Sequence, residues 1–266
     1  MKHKERFTGR VEDYERYRMR YPTAVLGVLR VRCGLQATDV VADIGAGTGM
    51  LAELFLEAGN RVIAVEPNAD MRVACERLTG LRPLDAAAEA TGLESGSVDL
   101  VSVGRAFHWF DQERALTEFA RILKPGGWVV LVSNRRAADG APMLREYEDL
   151  LREFGTDYAQ VQGSHRGWEG LRRYGGEEFR VRMAGEQRLT LEELVGQTRS
   201  YSVAPKAGES GYEAMHTALR KFFARWSVDG LVRMSTECEV AGWRTPRPQM
   251  LHGVDEGGEV RDLSTR

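Results

Sequence analysis

Residues 40–51 read VVADIGAGTGML, and this stretch decides the fold class of the chain. Residues 40–44 are short, apolar and mostly β-branched, as expected of a strand that is covered on both faces. Gly45, Gly47 and Gly49 allow the tight backbone angles with which a strand can turn into a helix. Apolar residues then recur at helical spacing up to a glycine and an asparagine, which predict the helix end. A nucleotide-like group is therefore expected over the glycines, against the free N–H groups of the helix start.

The glycine spacing and a nearby acid narrow the choice of ligand. The loop reads G-x-G-x-G, whereas a dinucleotide site requires G-x-G-x-x-G. A second strand, residues 61–65, follows at once and ends on Glu66, whose carboxylate can accept hydrogen bonds from both ribose hydroxyls. The same carboxylate would repel a 2′-phosphate, which argues against NADP. The alternative is a structural glycine turn without a ligand, but such a turn would not need the acid.

Asp43, the glycines and Glu66 resemble the class I S-adenosylmethionine (SAM) methyltransferases. The resemblance implies SAM as the cofactor and S-adenosylhomocysteine as the product. Family members commonly carry an acid at the Ala87 position to bind the adenine amine, and here a backbone group or Glu89 would take over. Met71 would pack on the adenine, or else fill the core. The implied cofactor contacts are Asp43, Gly45, Ala46, Gly47, Gly49, Glu66, Pro67, Met71, Ala88, Glu89, Arg105 and Ala106.

Composition excludes several classes of protein. The chain of 266 residues has 37 Lys and Arg against 39 Asp and Glu, so no global field favours nucleic acid as a partner. Cys33, Cys75 and Cys238 are scattered, which fits a reducing compartment and predicts no metal site. The first residues lack the apolar core of a signal peptide, and no apolar run reaches membrane-spanning length. We therefore expect a cytoplasmic protein with no membrane partner.

Residues 1–34 precede the first core strand and are expected to form a helical lid. A helix-prone stretch rich in Tyr and Arg ends at Pro22, and a second helix follows. In related methyltransferases such a segment folds over the cofactor, where aromatic area and donors for a carboxylate are useful. Tyr17 and Arg20 are the predicted cofactor contacts and Tyr21 a predicted substrate contact. The alternative is an ordinary amphipathic helix with solvated arginines.

Residues 35–136 alternate strand and helix, which predicts an α/β, doubly wound core. The resemblance implies that this Rossmann-like core binds SAM. The third strand is expected near residues 81–84. The sequence KPGG at residues 124–127, between a helix and an apolar strand, is a further feature shared with the methyltransferases. The resemblance implies a mostly parallel, seven-stranded sheet with an antiparallel last strand, expected at residues 231–240.

An aromatic segment, AFHWFD at residues 106–111, leaves the carboxyl end of the fourth strand, where ligands of such sheets bind. Together with Asn134 at the end of the fifth strand, it resembles the type-11 methyltransferase subgroup, which includes trans-aconitate methyltransferase-like proteins. His108 is a candidate general base, or else a hydrogen-bonding wall of the pocket. The predicted substrate contacts are Tyr21, Phe107, His108, Trp109 and Asn134.

The remainder of the chain is expected to complete the sheet and to cover the acceptor. Residues 137–241 are interpreted as a substrate cap plus the final strands, with a capping box from Thr190 to Glu193 opening one helix. Residues 242–266 are polar and rich in glycine and are expected to form a disordered tail.

The resulting hypothesis is a SAM-dependent methyltransferase that acts on a small molecule, with O-methylation of an organic acid as the leading reaction. One alternative is a regulatory or accessory protein that binds SAM or S-adenosylhomocysteine without catalysis. Another is an NAD-dependent oxidoreductase, which the glycine spacing disfavours. The sequence leaves the acceptor atom and the oligomeric state open, because a fold alone does not select a substrate.

Overall fold

The computed structural model describes residues 9–137, 140–156, 158 and 176–244, and within these ranges six strands form one sheet. The strands are β1 (Val40–Ile44), β2 (Arg61–Val65), β3 (Val98–Gly104), β4 (Leu123–Arg136), β5 (Glu178–Leu189) and β6 (Val232–Arg244). Their order across the sheet is β2-β1-β3-β4-β6-β5.

The strand directions confirm the predicted fold class. Strand β1 pairs in parallel with β2 and β3, and β3 pairs in parallel with β4. Strand β6 is antiparallel to both of its neighbours, β4 and β5. The sheet is therefore mostly parallel with an antiparallel last strand, and the expected carboxyl-end edge carries the glycine turn.

The strand predicted near residues 81–84 does not form. Within the described residues that stretch makes one parallel bridge, between Val65 and Leu84. The N–H of Leu84 donates to the carbonyl of Ala64 at 2.8 Å, and its carbonyl accepts from Glu66 at 3.0 Å. The N–H of Leu81 instead donates to the carbonyl of Leu78 at 3.1 Å, so the start of this stretch belongs to a turn and is not paired with β2.

Eight α-helices and one 3₁₀ turn connect the strands of the described chain. The helices are α1 (Val11–Tyr17), α2 (Ala24–Cys33), α3 (Met50–Glu57), α4 (Ala69–Cys75), α5 (Gln112–Ile122), α6 (Pro142–Phe154), α7 (Leu191–Arg199) and α8 (Tyr212–Trp226), and the 3₁₀ turn is Phe107–Trp109. The predicted capping box is present at α7, where Thr190 and Glu193 satisfy each other's backbone N–H groups.

Two apolar cores cover the two faces of the sheet, because successive strand residues point to opposite sides. Val41 and Leu100 belong to the first core, which α2 and α3 complete. Their chain neighbours Ala42 and Val101 belong to the second core, which α5 completes with residues such as Phe119. This burial on both faces explains the continuous apolar runs of the strands.

A third core lies in the part of the chain that the sequence assigned to a substrate cap. Helices α6, α7 and α8 contribute its largest buried side chains, with the ends of β5 and β6. Tyr147 of α6 packs against Phe222 of α8 at a centroid distance of 5.4 Å. Among the described residues, no helix combines the length and the apolar character needed to cross a bilayer.

Two predicted boundaries differ from the structure. The first helix ends at Tyr17 rather than before Pro22, and Arg18 is already extended. Strand β6 runs to Arg244, three residues into the predicted tail. Gly242 pairs with Phe179 of β5, and the ring of Phe179 occupies the place where a side chain at position 242 would lie. Residues 245–266 of the predicted tail lie outside the described residues.

Candidate active site

The turn after β1 is closed by protein at its ends and accessible in its middle. Gly45, Gly47 and Gly49 all have positive φ, at 69°, 58° and 85°. A Cβ at Gly45 would lie 2.6 Å from that of Ala106, and one at Gly49 would lie 2.5 Å from the side chain of Leu78. Among the described residues, nothing beyond its chain neighbours lies within 4 Å of the Cβ position at Gly47. A ligand can therefore approach the backbone at Gly47.

Glu66 connects the tip of β2 to this turn. Its side chain is largely buried, with 8% of the residue exposed. One carboxylate oxygen accepts the N–H of Gly47 at 2.9 Å, and the other accepts the N–H of Asn68 at 2.8 Å. A carboxylate has about four acceptor positions, so a single group can serve several donors at once. Glu66 thus fixes the middle of the turn from the tip of β2.

Asp43, at the end of β1, is a buried carboxylate with 1% exposure. The hydroxyl of Ser102 donates to its Oδ1 at 2.7 Å. Burial raises the pKa of Asp43 to about 7, against the opposing effect of hydrogen bonds from Ser102 and from the backbone of Ala52, while the charge of Glu66 raises it further. A carboxyl group whose charge is this sensitive to its surroundings is typical of a functional site.

A small cavity lies between the turn, the end of β3 and the N-terminal segment. Its volume is 30 Å³, which is room for about one or two water molecules. Drug-sized ligand pockets are roughly ten times larger. The N-terminal segment therefore closes over the turn in this structure. The lining residues are Tyr14, Arg18, Met19, Tyr21, Asp43, Gly45, Ala46, Gly47, Thr48, Met50, Leu51, Gly104 and Arg105.

Arg18 is the central side chain of the cavity's roof. Its guanidinium lies between the rings of Tyr14 and Tyr201, at 4.7 and 4.6 Å from their centroids. One Nη donates to the carbonyl of Ser200 at 3.0 Å, whereas its Nε is buried with no hydrogen-bond partner among the described residues. Burial lowers the pKa of Arg18, and the neighbouring charge of Arg105 lowers it further.

Arg105 lies beside Arg18 and has a strained backbone. Its φ is +56°, one of two such values for non-glycine residues in the described ranges. Its Nη1 donates to the carbonyl of Asn134 at 2.7 Å. In the described part of the chain neither Arg18 nor Arg105 is ion-paired to a carboxylate. The cavity therefore carries positive charge that an anionic ligand would neutralise.

The structure places Tyr21 in the lining, but not Tyr17 or Arg20. The hydroxyl of Tyr21 lies over Gly104, where a Cβ would come within 2.7 Å of it. Tyr17 instead donates to Glu192 of α7 at 2.8 Å, and Arg20 pairs with Glu53 of α3 at 2.6 Å in an exposed position. Tyr17 and Arg20, the predicted cofactor contacts of the lid, thus lie outside the cavity.

The aromatic segment after β3 divides between the second core and half-buried positions, and none of its residues is among those that line the cavity. Phe107 is 6% exposed and belongs to the second core, in edge contact with Phe110. His108 and Trp109 are half-buried, with ring centroids 4.4 Å apart. Ala106 contacts the Gly45 end of the turn. Within the segment, Phe107 is therefore a core residue, His108 and Trp109 are partly accessible, and Asp111 is exposed.

The residues predicted for the adenine side occupy different surroundings. Met71 is 3% exposed. Its N–H donates at 3.0 Å to the side chain of Asn68, the residue that caps the start of α4. Ala88 is 5% exposed and belongs to the second core. Glu89 accepts the N–H of Asp111 at 2.7 Å and so holds the start of α5.

Asn134, a predicted substrate contact, bonds to the N-terminal segment. Only 2% of the residue is exposed, and its amide donates to the carbonyls of Arg20 and Met19 at 3.0 and 3.3 Å. Tyr14, Arg18 and Ser102 were not among the predicted site residues. The four-residue spacing of Tyr14 and Arg18 would place both on one helical face, which was the available signal.

Comparisons with known proteins agree on one class. The family model described as "Methyltransferase domain" matches residues 42–131. An uncharacterized methyltransferase-like protein of Schizosaccharomyces pombe is 30% identical over 219 residues, covering 80% of this chain and 84% of that protein. An uncharacterized methyltransferase of Mycobacterium tuberculosis is 40% identical over 134 residues, covering 49% of this chain. The matched region spans about half, 52%, of that relative.

A solved structure shows the same fold at low sequence identity. It comes from Anaeromyxobacter dehalogenans and is a proposed type II methyltransferase. It superimposes with a TM-score of 0.64 at 22% identity, covering 87% of this chain and 100% of that one. A likeness at this identity supports the fold and carries no information about the substrate.

Proposed function

The chain belongs to the methyltransferase family, and on that premise we propose that it transfers a methyl group from SAM to a small-molecule acceptor. The observation that carries the proposal is the bond from Gly47 to Glu66, which joins the accessible point of the glycine turn to the acid at the tip of β2. An adenosine ligand needs both features together, a close backbone approach and an acceptor for its ribose hydroxyls.

The described residues offer donors and acceptors for each part of this cofactor. Glu66 would accept the ribose hydroxyls, and Asp43 would accept the ammonium of the methionyl group. Arg18 and Tyr21 would hold its carboxylate, since Arg18 has a buried Nε without a partner among the described residues. Met71, with the backbone around Ala88, would border the adenine. Gly45, Ala46 and Gly49 would supply the close backbone.

The bound cofactor would supply an electrophilic methyl group on a sulfonium. The chain's part is to align an acceptor with that group and to exclude water, and such orientation is worth about 7–11 kcal/mol in favourable cases. The backbone turn, the aromatic rings and the closed roof suit this task. His108 and Trp109 would form the wall that the acceptor contacts.

An organic acid is the acceptor class that the charges favour. Arg18 and Arg105 both lack an ion-pair partner among the described residues, and the cofactor's carboxylate would neutralise only one of them. A carboxylate with a pKa near 4 is ionised at pH 7 and can attack without a base. His108 would then be a hydrogen-bond donor rather than a general base. This assignment agrees with the resemblance to the trans-aconitate methyltransferase-like subgroup.

Binding calorimetry with S-adenosylhomocysteine tests the cofactor. We expect binding to the wild-type protein and none with NADH. Glu66→Ala should weaken binding at least about tenfold, because charge-assisted hydrogen bonds contribute about 1.5–3 kcal/mol. Glu118→Gln is the matched control, since Glu118 is also a buried acceptor of a backbone N–H, from Thr91, away from the turn. Equal affinities for both variants would contradict the proposal.

A mass-spectrometric screen tests transfer. The protein is incubated with SAM and a panel of di- and tricarboxylic acids, with their neutral esters as matched controls. We expect a gain of one methyl group on an acid and none on the esters. Binding of S-adenosylhomocysteine without any methyl gain across acids, alcohols and amines would instead support the accessory-protein alternative.

A further inference from the structure

The N-terminal segment that roofs the cavity is attached mainly to the C-terminal part of the chain. Residues 10–21, called the roof segment below, contact α7 along its length. Arg10 donates to the carbonyls of Arg199 and Tyr201 at 2.7 and 3.0 Å, and Asp13 pairs with Arg199 at 2.6 Å. At the other end of α7, Tyr17 donates to Glu192. The roof segment and α7 are therefore fastened together.

Tyr21 packs against the first core, but the described polar contacts between the roof segment and the sheet side are few. Arg20 pairs with Glu53, and Glu15 pairs with Arg77. The arginine side chains of both pairs are more than half exposed, and exposed ion pairs contribute about 0–1 kcal/mol. These two pairs alone would hold the roof weakly.

Asn134 provides a buried hydrogen-bonded connection between the roof and the sheet. It lies near the end of β4, and its amide donates to the carbonyls of both Met19 and Arg20. At 2% exposure, these bonds are shielded from competing water. The backbone carbonyl of the same residue accepts from Arg105, whose positive φ marks local strain. Asn134 thus joins two walls of the cavity, the roof and the loop after β3.

The small volume of the cavity relates this connection to ligand entry. A space of 30 Å³ admits only about one or two water molecules, so the part of a ligand that lies beneath the roof segment can enter only when this segment moves outward. Opening must break the two bonds of the Asn134 amide, since these join the moving carbonyls to the sheet.

We propose that Asn134 is a positioning residue whose amide holds the roof segment shut over the glycine turn and thereby sets how often the cofactor site opens. The part of this proposal that concerns ligand entry rests on the proposed function. The side chain acts on the ligand through Met19 and Arg20, not by direct contact. It therefore controls the rate of ligand entry rather than the chemistry of transfer.

The test compares Asn134 with a second buried asparagine whose side-chain amide also donates to two backbone carbonyls. Asn60 is 5% exposed, and its amide donates to the carbonyls of Gln36 and Asp39 at 2.7 and 3.1 Å, at the opposite end of the sheet. Asn134→Asp and Asn60→Asp each replace an amide donor by a carboxylate oxygen of the same shape. Each loses two hydrogen bonds, so a merely structural effect is matched between them.

The first readout is hydrogen exchange of the free protein. We expect exchange in the roof segment, at the N–H groups of Tyr14 and Arg18, to become about tenfold faster in Asn134→Asp, with no such change in Asn60→Asp. These two N–H groups donate to the carbonyls of Arg10 and Tyr14 in the closed structure. Asn134→Ala repeats the test without the added charge. Unchanged roof exchange in both Asn134 variants would overturn the proposal.

The second readout is the association rate of S-adenosylhomocysteine, measured by stopped flow. We expect an increase of about tenfold for Asn134→Asp and no increase for Asn60→Asp, because entry is limited by roof opening. Faster roof exchange without faster association would overturn the gating role. If the wild-type protein binds none of this ligand, the proposed function fails, whereas the exchange experiment still decides the role of Asn134.

Discussion

Asp43 is a carboxylate buried in the sheet, where burial disfavours its charged form. Two hydrogen bonds, from Ser102 and from the backbone of Ala52, only partly offset its burial. Its pKa is raised to about 7, whereas a carboxyl group in an unfolded chain loses its proton near pH 4. The unfolded state is thus charged at a pH where the folded state still holds the proton. Asp43 therefore destabilises the fold progressively between about pH 4 and pH 7.

Replacement of Asp43 should stabilise the protein at neutral pH while impairing the site. Asp43→Asn removes the ionisation, so we expect its Tm to exceed that of the wild-type protein at pH 8 and the difference to shrink towards pH 4. Its affinity for S-adenosylhomocysteine should fall, because the acceptor for the ammonium is neutral. Thermal unfolding from pH 4 to 8 measures the first effect and calorimetry the second.

Glu118 supplies a control with the opposite sign. Hydrogen bonding to Arg121 lowers the pKa of Glu118 to about 2, with further hydrogen bonds from Thr91. Its contribution to stability is complete above about pH 4.5 and is lost as the pH falls towards 2. Glu118→Gln should therefore lower the Tm most at neutral pH. A Tm difference for Asp43→Asn that did not vary with pH would contradict the assignment.

At the residue scale, the sequence pattern is most informative for the glycine turn and the acid. Gly47 and Glu66 are 19 residues apart along the chain and are joined by a hydrogen bond in the structure, whereas their role as cofactor contacts stays a prediction. The position of the roof depends on contacts between residues far apart in sequence, since Tyr17 donates to Glu192 of α7, 175 residues further along the chain. The four-residue spacing of Tyr14 and Arg18 groups the two side chains, but it does not show that they face the cavity.

At the scale of elements, one predicted strand is reduced to a single bridge. The stretch near residues 81–84 is short and begins in a turn, where the N–H of Leu81 donates to the carbonyl of Leu78, so only Leu84 pairs with β2. Strand β6 shows the reverse case. The sequence of its last residues predicts a polar tail, yet Trp243 is 3% exposed because its side chain packs in the second core. Such demands come from tertiary packing and cannot be read from a local window.

Helix α7 and the roof segment meet at a glycine. Gly196 lies in the middle of α7, where the ring of Tyr17 occupies the space that a Cβ would take. A glycine inside a helix costs about 1 kcal/mol relative to alanine, so its presence here reflects close packing. The contact brings α1 near enough for the pairs with Arg199 and Glu192 to form.

Gly196→Ala should displace the roof segment. Overpacking costs about 1–3 kcal/mol, which the better helix preference of alanine offsets only in part. We expect a lower Tm and faster hydrogen exchange in α1. Gly27→Ala in α2 is the control, because nothing among the described residues lies within 4 Å of its Cβ position. That variant should gain about 0.5–1 kcal/mol, and a similar gain for Gly196→Ala would disprove close packing at α7.

For the molecule as a whole, chain order and spatial order diverge at the end of the sheet. The last strand, β6, lies between β4 and β5, and it pairs with both along most of its length. The methyltransferase resemblance implied an antiparallel last strand, whereas periodicity alone did not show where it inserts. The C-terminal strand thus joins the parallel half of the sheet to the third core, so both halves depend on it.

This arrangement makes the end point of β6 measurable. A chain that ends at residue 241 loses Gly242, Trp243 and Arg244, whereas one that ends at residue 244 keeps the complete strand. Removal of a buried Trp side chain costs about 3–5 kcal/mol, and Arg244 also donates to the carbonyl of Gly126 at 3.1 Å. We expect the 1–244 chain to match the full chain in urea unfolding and the 1–241 chain to lose at least about 3 kcal/mol. Equal stability of the two truncated chains would place the end of the folded sheet at residue 241, where the sequence pattern put it.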